Sequence, residues 1–493
     1  MDRLDRDSDV SLTQQIVDRV AAAIDAGGLA PGERLPTTRA LAEGAGVNHL
    51  TASRAYRRLA ELGYVTATVG RGTFVRTLPP AAAERDGDAW QHSVLPDRPW
   101  AHRQQALDDA FRLASARGLI SLATGWPAPE CVPVQALAEA AAAAFAELGQ
   151  GAVGYSDPAG VSSLREQLAL RGREAGYASG PEEIVVTTGA RQAIDLAARA
   201  VLSPGDVAVV ESPTFVGTLS SLLGTGARVI GIPVDEDGPD VDAFERILAR
   251  EEVRLLALQT ACQNPTGRDL SPERAERIAR LAVQRNVFVV EDGVYAGVRY
   301  EGTPRRRLRH LAPSHVIYVD SLSKCLDGGL RIGWAAAGGP VRDRIASLKL
   351  DTDLHSPTLT QETAARYLAT GEHEARQEQV SAFYRERRDA LLESLERRLG
   401  DECRWVHPLG GHNVWITLNR PLDDRALYAE ALRHGVSFTP GSAVMAEPPA
   451  ETSLRLSFSL IPPEDLDEGV RRLAQAIRAE RRRTRPPALV AIS

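Results

Sequence analysis

The sequence predicts a multidomain protein in which a small winged helix-turn-helix precedes a large α/β domain with a mostly parallel sheet. Three observations carry this prediction. Apolar residues in the first eighty positions recur at helical spacing and are followed by a glycine-rich hairpin pattern. From Ala106 onward, short apolar runs alternate with helical patterns. The chain of 493 residues also exceeds what one hydrophobic core holds, so we expect several domains.

Composition limits the classes of protein to which the chain can belong. The formal net charge of −7 excludes a uniformly basic nucleic-acid coat, yet the stretch Ala30 to Thr77 holds seven arginines against three glutamates. No apolar run reaches the roughly 20 residues that span a bilayer, and the start lacks a signal-peptide pattern, so we expect a cytoplasmic protein with no membrane partner. Four cysteines without a Cys-x-x-Cys pair predict neither disulfides nor a metal site.

The first predicted helix has apolar residues at every fourth position, and the glycine-rich segment 27–32 ends it. A second helix begins after Thr37 and Thr38, whose hydroxyls suit a helix start. Gly44 to Gly46 form a short turn, and Asn48 caps a third helix, Thr51 to Leu62. Two short helices joined by a tight turn make a helix-turn-helix. The apolar positions of the first helix are Leu12, Ile16, Val20 and Ile24.

Strand patterns at 63–69 and 73–75 flank Gly70-Arg71-Gly72, which predicts a hairpin with a glycine-rich tip. A hairpin after three helices is a winged helix, and this shape binds DNA with the second helix of its motif in the major groove. The alternative is a winged helix used only for protein contacts, or a basic face that is simply solvated. Arg58 adds a cation to the residues that we expect at the DNA, which are Arg39, Asn48, His49, Thr51, Arg54, Arg57, Arg71 and Thr73.

Residues 78–105 are predicted to be a linker, because Pro79-Pro80, a run of alanines, Pro96 and Pro99 leave no sustained periodicity. About 28 residues can span tens of ångströms, enough for the N-terminal domain to reach across a dimer partner. The predicted domain limits are therefore 10–77 for the winged helix, 78–105 for the linker and 106–485 for the α/β domain.

Strands and helices alternate through the rest of the chain. This rhythm predicts a mostly parallel sheet covered by helices, in which a ligand lies beyond the C-terminal ends of the strands. Helices are expected from Arg191 and from Ser271. The predicted strands are Ile184–Thr187, Val207–Glu211, Arg228–Pro233, Val253–Gln259, Val287–Glu291, Val316–Asp320 and Gly333–Ala337.

Lys324 is one of only two lysines in a chain with 58 lysines plus arginines. A guanidinium stays protonated and forms no Schiff base, whereas a desolvated lysine is a nucleophile toward an aldehyde. Ser321, Ser323 and Arg331 supply two hydroxyls and a cation near this lysine, and the segment Gly189-Ala190-Arg191 opens a helix whose N–H groups suit an anion. Together they predict a phosphate cup beside a reactive lysine. For the lysine alone, the alternative is chance survival in an arginine-biased composition.

Other polar and aromatic residues follow neighbouring strands: Asp292 and Tyr295 after one, Asn264 after another, and Phe215 after a third. A phosphorylated pyridine aldehyde needs a lysine, a carboxylate for the pyridinium, donors to its ring oxygen, an aromatic ring and an anion cup. The set therefore predicts pyridoxal 5′-phosphate as cofactor. Taken singly, each has a structural alternative: a helix cap for Asp292, core packing for Phe215 and a turn at Asn264-Pro265.

Residues 11–75 resemble the winged-helix domain of GntR-type bacterial regulators. The motifs that carry this resemblance are Gly32-x-x-Leu35-Pro36-x-x-Arg39-x-Leu41-Ala42, Thr51-x-x-Arg54-Ala55-Tyr56 and Gly70-x-Gly72-Thr73. The recognition helix of that family often begins with Ser or Thr followed by Arg. Asn48-His49 stands there in this chain, so the base contacts differ from the family pattern.

Residues 113–478 resemble fold-type I aminotransferases of the aspartate-aminotransferase class, which implies a large sheet domain and a smaller α+β C-terminal domain. On this resemblance Lys324 forms the imine with the cofactor, and Asp292 pairs with the pyridine nitrogen. Tyr295 and Asn264 donate to the 3′ oxygen, and Phe215 stacks on the ring. The resemblance implies that the phosphate is held by Ala190, Arg191, Ser321, Ser323 and Arg331.

The same resemblance implies a dimer whose subunits share their active sites, and a pocket for the effector. Tyr155, in Tyr155-Ser156-Asp157-Pro158-x-Gly160, matches a tyrosine that reaches the phosphate of the neighbouring subunit, which implies a homodimer, domain-swapped head to tail. Arg455 matches the arginine that binds the substrate α-carboxylate; its alternative is an exposed strand arginine. Gly125 and Trp126 are placed in the substrate or effector pocket, with His412 in its wall.

The whole chain resembles the MocR subfamily of GntR-type regulators. That resemblance implies a pyridoxal-phosphate-dependent transcriptional regulator that binds operator DNA and whose second domain senses an amino acid, an amine or the cofactor itself. The alternative is a catalytically active aminotransferase with a winged helix, since Asn264 is retained where several such regulators have an aromatic residue. A third reading is a protein that only binds the cofactor and reports its level. Asp327-Gly328-Gly329 replaces the proline and glycine that often follow the lysine.

Overall fold

The computed structural model of the protein describes residues 11–25, 29, 33–61, 64–68, 72–75, 112, 118–304 and 306–484. The chain divides into two compact units, Met1–Pro99 and Trp100–Ser493, and each is treated by itself. The predicted linker, residues 78–105, lies outside the described residues. So does Arg71, at the tip of the predicted hairpin.

The N-terminal unit contains three helices and an antiparallel hairpin in which Val65 pairs with Val75. Thr37 Oγ1 accepts a hydrogen bond from the Ala40 N–H at 3.2 Å, and Asn48 Oδ1 accepts one from the Thr51 N–H at 2.8 Å. Both predicted helix starts are therefore side-chain caps, which satisfy N–H groups that the helix leaves unpaired. The elements are α1 (Leu12–Asp25), α2 (Thr38–Ala45), α3 (His49–Glu61), β1 (Val65–Thr68) and β2 (Gly72–Val75).

One face of α3 packs in the core of this unit and the other faces solvent. Tyr56 on the buried face donates from its hydroxyl to the Pro36 carbonyl oxygen at 2.7 Å and so joins α3 to the start of α2. Arg54, Arg57 and Arg58 lie on the exposed face. The core consists of Ile16, Val17, Val20, Leu35, Leu41, Ala42, Ala52, Ala55, Tyr56, Leu59, Val65 and Val75.

The C-terminal unit is built on an eight-stranded sheet with the order β4-β11-β10-β9-β8-β5-β6-β7. β10, β9, β8, β5 and β6 run parallel to one another, which confirms the predicted mostly parallel sheet. The strands are β4 (Ile184–Thr187), β5 (Val207–Ser212), β6 (Arg228–Asp235), β7 (Gly238–Pro239), β8 (Val253–Gln259), β9 (Phe288–Asp292), β10 (Val316–Ser321) and β11 (Gly333–Ala336).

β11 is the exception among the predicted strands, because it runs antiparallel to both β10 and β4. The loop between β10 and β11, residues 322–332, contains only a 3₁₀ turn at Gly328–Leu330. A parallel return needs a crossover of a dozen or more residues, usually a helix, so this loop returns the chain in the opposite direction. The loop therefore keeps Lys324 at the edge of the sheet where β10 ends.

Helices cover both faces of the sheet, so alternate residues of each strand enter different cores. On β10, Ile317 and Val319 pack with helix α6, whereas Tyr318 packs on the opposite face. This two-sided burial is typical of parallel strands. The helices of this part are α4 (Val134–Leu148), α5 (Ser162–Ala175), α6 (Ala190–Val201), α7 (Val216–Gly224), α8 (Val241–Leu248), α9 (Pro272–Arg285), α10 (Pro340–Asp353) and α11 (Thr358–Ala369).

The smaller α+β domain that the resemblance implied is also present. Its antiparallel sheet has the order β12-β13-β16-β15, and its helices pack on one apolar core. β3 pairs with β14, which brings residues just after position 121 beside this sheet. Its elements are α12 (Glu372–Ala375), α13 (Gln377–Leu399), β12 (Cys403–Trp405), β13 (Asn413–Leu418), α14 (Asp424–Arg433), β14 (Val436–Ser437), β15 (Thr439–Pro440), β16 (Ser453–Ser457) and α15 (Pro463–Thr484), with β3 at Ile120–Ser121.

Further short 3₁₀ turns connect these elements, at Pro129–Cys131, Gly149–Val153, Pro181–Glu183, Leu308–His310 and Gly441–Ala443. Three arginines lie in the last turn of α15, and one of them, Arg481, forms an ion pair with Glu402. Within the described part of the chain, no helix is long and apolar enough to cross a bilayer.

Candidate active site

The C-terminal ends of the parallel strands β8, β9 and β10 meet at one edge of the large sheet. Gln259 pairs in register with Asp292, and Asp292 in turn with Val319, two residues before the end of β10. Ligands of open α/β sheets bind beyond such ends. The sheet thus collects three chain segments that are far apart in sequence, and strand β16 of the small domain adds Arg455.

Lys324 lies in the loop after β10, where its Nζ donates to the Gly125 carbonyl oxygen at 2.6 Å. The same nitrogen lies 5.8 Å from the centroid of the Tyr295 ring. Burial, together with the nearby Arg455 cation and against the opposing effect of Asp292, lowers the pKa of Lys324 from its ordinary value to about 8. Because the neutral amine is the nucleophile, the site holds a lysine suited to imine formation.

This pKa leads to a testable pH dependence. We expect the rate at which the cofactor-free protein forms its imine with pyridoxal 5′-phosphate to rise about tenfold per pH unit below pH 8 and to level off above it, because only the neutral amine attacks. The measurement is stopped-flow absorbance at pH 6 to 10, with the side-chain amine of free lysine as reference. A rate that still rises at pH 10 would contradict a desolvated Lys324.

Asp292 ends β9 and is almost fully buried. Its Oδ1 accepts from the Val294 N–H at 3.0 Å, and its Oδ2 accepts from Gln259 Nε2 at 2.8 Å. Burial raises the pKa of Asp292 to about 6, although both hydrogen bonds and Lys324 favour the charged form. A cationic group beside this carboxylate would offset the cost of burying its charge. No described helix begins at Asp292, so the helix-cap alternative is wrong.

Gln259 and Asn413 are functional candidates that the sequence analysis missed. Gln259 donates to Asp292, and its Oε1 accepts from the Asn264 N–H at 2.6 Å, so one side chain positions both residues. Asn264 Oδ1 in turn lies 3.4 Å from Asn413 Nδ2 and 3.4 Å from Arg455 Nη1. A signal for Gln259 was available, since it is the last residue of a buried strand at the predicted edge. Asn413 had no such signal.

Arg455 is buried on β16, which overturns the alternative of an exposed strand arginine. Its Nη2 donates to the Ala123 carbonyl oxygen at 2.7 Å and to Thr439 Oγ1 at 3.0 Å. Its Nε is buried without a hydrogen-bond partner among the described residues. Burying a guanidinium that lacks an anionic partner is costly, so the arrangement suits a ligand carboxylate.

Gly125, Trp126 and His412 line the same site. His412 is fully buried, with Nδ1 at 3.3 Å from the Gly125 carbonyl oxygen, the same oxygen that Lys324 contacts. Burial lowers the pKa of His412 to about 3, helped by the Lys324 charge, so the imidazole is neutral at physiological pH. A Cβ on Gly125 would lie 3.2 Å from Ser457 Oγ, which explains the glycine at this close approach. Trp126 lies at the solvent boundary, 37% exposed.

The residues predicted to hold a phosphate lie where β4, β10 and β11 adjoin. Gly333 pairs with Ser321 on one side and with Thr187 on the other. The loops that follow β10 and β4 therefore begin side by side. Gly189 has a φ of +105°, and a Cβ there would lie 2.7 Å from Arg331 Nη2. Helix α6 begins at Ala190, Arg191 is exposed in its first turn, and Ser321 Oγ accepts from the Ser323 N–H at 2.8 Å.

Two candidates have less direct placements. Phe215 precedes α7 and packs with Val216, Trp415 and Val444, which agrees with its alternative as a core residue, so its stacking role stays a prediction. Tyr155 is 88% exposed, and its ring meets the His355 ring edge-on at 5.5 Å between centroids. Within the described chain Tyr155 therefore lies open to solvent, as a residue that serves a second subunit would.

Asn264-Pro265 is a cis peptide in a turn, and the Asn264 side chain still faces the site.

The residues present fit pyridoxal 5′-phosphate. The fit depends on three observations: a lysine whose amine is largely desolvated, a buried carboxylate whose pKa is raised, and a glycine cradle closed by Arg331. When bound, that cofactor supplies a protonated pyridine ring that accepts electron density from a linked amine. Toward that cofactor, the protein would offer the amine of Lys324, the counter-charge of Asp292 and the anion-binding groups around Arg331.

The predicted DNA contacts lie on the N-terminal unit. His49, Arg54 and Arg57 are exposed on α3, and Arg39 on α2 forms an exposed ion pair with Glu43 at 3.2 Å. Asn48 is committed to capping α3, while Thr51 and Thr73 are half-buried.

Comparison with known proteins gives matches for both units. Residues 117–473 match the family model of aminotransferase class I and II, and residues 12–75 match that of bacterial regulatory proteins of the gntR family. The chain is 36% identical to 2-aminoadipate transaminase of Thermus thermophilus over 75% of this chain and 93% of that protein. It is 31% identical to the uncharacterized HTH-type transcriptional regulator YisV of Bacillus subtilis over 96% of this chain and 97% of the relative.

Among solved structures, the chain resembles LysN, the alpha-aminoadipate aminotransferase of Thermus thermophilus, complexed with N-(5′-phosphopyridoxyl)-L-leucine. The TM-score is 0.72 and the identity 34%, over 80% of this chain and 100% of that chain. The first unit and the second thus each match a known family, and the two together match a regulator over nearly its whole length. The chain therefore belongs to the aminotransferase class I and II family and, with its N-terminal domain, to the MocR type of gntR-family regulators.

Proposed function

We propose that this protein is a pyridoxal-phosphate-dependent transcriptional regulator whose aminotransferase-like domain senses an amino acid or an amine. One observation carries the proposal: a gntR-family domain and a complete cofactor site stand on one chain that matches HTH-type regulators from end to end. The domain limits 10–77, 78–105 and 106–485 belong to this proposal. A cytoplasmic location follows from a role at operator DNA.

The proposed roles in cofactor binding follow the site geometry. Lys324 binds the aldehyde carbon, Asp292 holds the proton on the pyridine nitrogen, and Gln259 orients Asp292. Tyr295 and Asn264 donate to the 3′ oxygen. Supporting this, burial raises the pKa of Tyr295, so its hydroxyl stays protonated as a donor. The phosphate is assigned to the cup around Arg331, which includes Ala190, Arg191, Ser321 and Ser323.

The proposed effector carries an amine and, for the tightest binding, an α-carboxylate. Lys324 and the effector amine would compete for the same position on the cofactor, and Arg455 would bind the carboxylate beside Gly125 and Trp126. The desolvated Arg455 guanidinium supports this assignment, because a charge-assisted pair is strongest where water is excluded. A Lys324 side chain that is free when the effector is bound and engaged when it is absent would give a regulator two states to transmit.

We also propose a homodimer, domain-swapped head to tail, in which Tyr155 contacts the cofactor phosphate of the neighbouring subunit. The exposure of Tyr155 supports this role, since an aromatic side chain of this size is seldom left in water. The effector changes operator affinity because it binds one of two arrangements of the dimer more tightly than the other. The expected coupling free energy between effector binding and DNA binding is about 1 to 3 kcal/mol.

The function is tested by titrating candidate amino acids and amines into the cofactor-loaded protein and measuring both the visible spectrum and the affinity for DNA from upstream of its own gene. We expect a compound that shifts the spectrum to change DNA affinity by about 5- to 150-fold. Compounds that shift the spectrum at saturation without any change in DNA affinity would contradict the sensor role.

DNA binding by α3 gives a separate prediction. Replacing Arg54 or Arg57 by glutamine is expected to weaken binding and to reduce the slope of log affinity against log salt by about 0.9 for each lost phosphate contact. The measurement is fluorescence anisotropy over a range of salt concentrations. Arg250→Gln, an exposed arginine of the C-terminal unit, is the matched control. An unchanged slope in both α3 variants would show that this face does not touch DNA phosphates.

A catalytically active aminotransferase is the second candidate function. The observation that favours it is the complete set formed by Asn264, Asp292, Tyr295, Lys324 and Arg455 around one edge of the sheet. Steady-state turnover with an amino donor and 2-oxoglutarate decides between the two, because a sensor needs only to bind the amine. Conversion over many cycles would establish an aminotransferase, and a stable spectral shift without keto-acid consumption would establish the sensor.

A further inference from the structure

Lys349, the other lysine of this arginine-rich chain, lies on α10 with its side chain 0% exposed. Its Nζ forms an ion pair and hydrogen bond with Asp353, one helical turn further on. None of the roles assigned above uses this residue. A buried lysine is rare, because removing an ammonium from water is costly unless an anion compensates. A specific task for Lys349 would explain why a lysine remains here.

The contacts of Asp353 lead toward the cofactor site. Asp353 Oδ2 accepts a hydrogen bond from Gln192 Nε2 at 2.8 Å. Gln192 lies in the first turn of α6, and its Oε1 accepts from the Thr188 N–H at 2.9 Å. The carbonyl oxygen of Thr188 then accepts from Arg331 Nη2. An unbroken chain of polar contacts thus runs from Lys349 to the arginine of the phosphate cup.

We propose that Lys349, acting through Asp353 and Gln192, is a positioning residue for the phosphate cup: it holds the segment Thr188–Ala190 and Arg331 in the geometry that receives the phosphate. This inference rests on the proposed cofactor role. Lys349 does not touch the cofactor. Its charge keeps Asp353 in place, Asp353 orients the Gln192 amide, and that amide fixes the backbone just before α6.

The geometry also explains why position 349 holds a lysine and not an arginine. Gln192 uses its amide N–H toward Asp353 and its carbonyl toward Thr188, so its orientation is set by the charge of Asp353. Lys349 presents a single compact ammonium at the end of a buried stem. A guanidinium is larger and carries five N–H donors, which this enclosed position would have to satisfy.

The test compares pyridoxal 5′-phosphate with pyridoxal, which forms the same imine but has no phosphate. Dissociation constants are measured from the visible absorbance of the full chain and of its Lys349→Met, Asp353→Asn and Gln192→Leu variants. Each variant is expected to bind pyridoxal 5′-phosphate about tenfold or more weakly and pyridoxal with unchanged affinity. The double variant of Lys349→Met with Gln192→Leu is expected to lose no more than the worse single variant, because residues that act in series are non-additive.

Equal losses for both compounds would overturn the proposal, since they indicate general damage to the site. Unchanged affinity for both in Asp353→Asn and Gln192→Leu would overturn it as well, and these two variants keep the test decisive if Lys349→Met does not fold. Arg344→Gln, at an exposed position of α10, is the control. Failure of the unaltered protein to bind pyridoxal 5′-phosphate is a different result, which refutes the proposed cofactor role.

Discussion

Replacing Lys324 by alanine is expected to abolish the visible absorbance that the protein shows with pyridoxal 5′-phosphate. The imine needs a primary amine, and the Lys324 amine lies in the site with a pKa lowered to about 8. The spectrum of the variant should equal that of the free aldehyde plus protein. DNA binding should persist, because the winged helix has a core of its own, but its response to amino acids should be lost.

Lys324→Arg is the sharper control for this experiment. It keeps a positive charge beside Gly125 but offers no free amine, so it should lose the band as completely as the alanine variant. A band that survives both replacements would contradict the assignment, and it would place the imine at Lys349 or at an N-terminal amine. Since the chain has only two lysines, combining Lys324→Ala with Lys349→Arg separates these possibilities.

Replacing Arg455 by glutamine is expected to weaken the binding of α-amino acids by roughly 100-fold or more, because a charge-assisted hydrogen bond contributes about 1.5 to 3 kcal/mol and a carboxylate engages two. The binding of the matching amines, which lack the carboxylate, should stay within about threefold. The measurement is spectral titration with pairs such as an amino acid and its decarboxylated product. The ratio of the two dissociation constants cancels general effects on the site.

Two controls accompany this variant. Arg404→Gln removes an exposed arginine of β12 that pairs with Glu451, and it should change neither affinity. The melting temperature of Arg455→Gln reports whether loss of the bonds to Ala123 and Thr439 disturbs the small domain. If amines and amino acids weaken alike in a protein that melts normally, Arg455 does not bind the carboxylate.

A large part of the architecture is local enough to be predicted from the sequence. Periodicity predicted seven strands that the structure contains, with limits that differ by at most two residues, because a buried strand needs an apolar run whatever its neighbours are. Thr37 and Asn48 were recognisable as helix starts because a cap bonds within four residues. Even the edge of the sheet that holds Asp292 and Lys324 follows from the direction of parallel strands.

The direction of β11 was not predictable in the same way. Its run of residues suits either orientation, and the loop before it, rather than the strand itself, determines that it returns antiparallel. The partners of the site residues were also out of reach. Gln259 contacts Asp292 across 33 positions of sequence, and Arg455 contacts Asn264 across 191. Contacts at such separations are formed by the pairing of strands within a sheet and by the packing of one domain on another, which no local pattern records.

The sequence by itself determined that a winged helix precedes a sheet domain, that strands and helices alternate in that domain, and that Lys324 is the candidate for a reactive lysine, because each depends on residue type and spacing along the chain. Only the tertiary structure decided how deeply those residues are buried and which groups surround them. It buries Asp292 enough to raise its pKa to about 6 and Lys324 enough to lower its pKa to about 8, and it buries Arg455 rather than exposing it. Burial depends on what packs around a side chain, and that is a property of the whole fold.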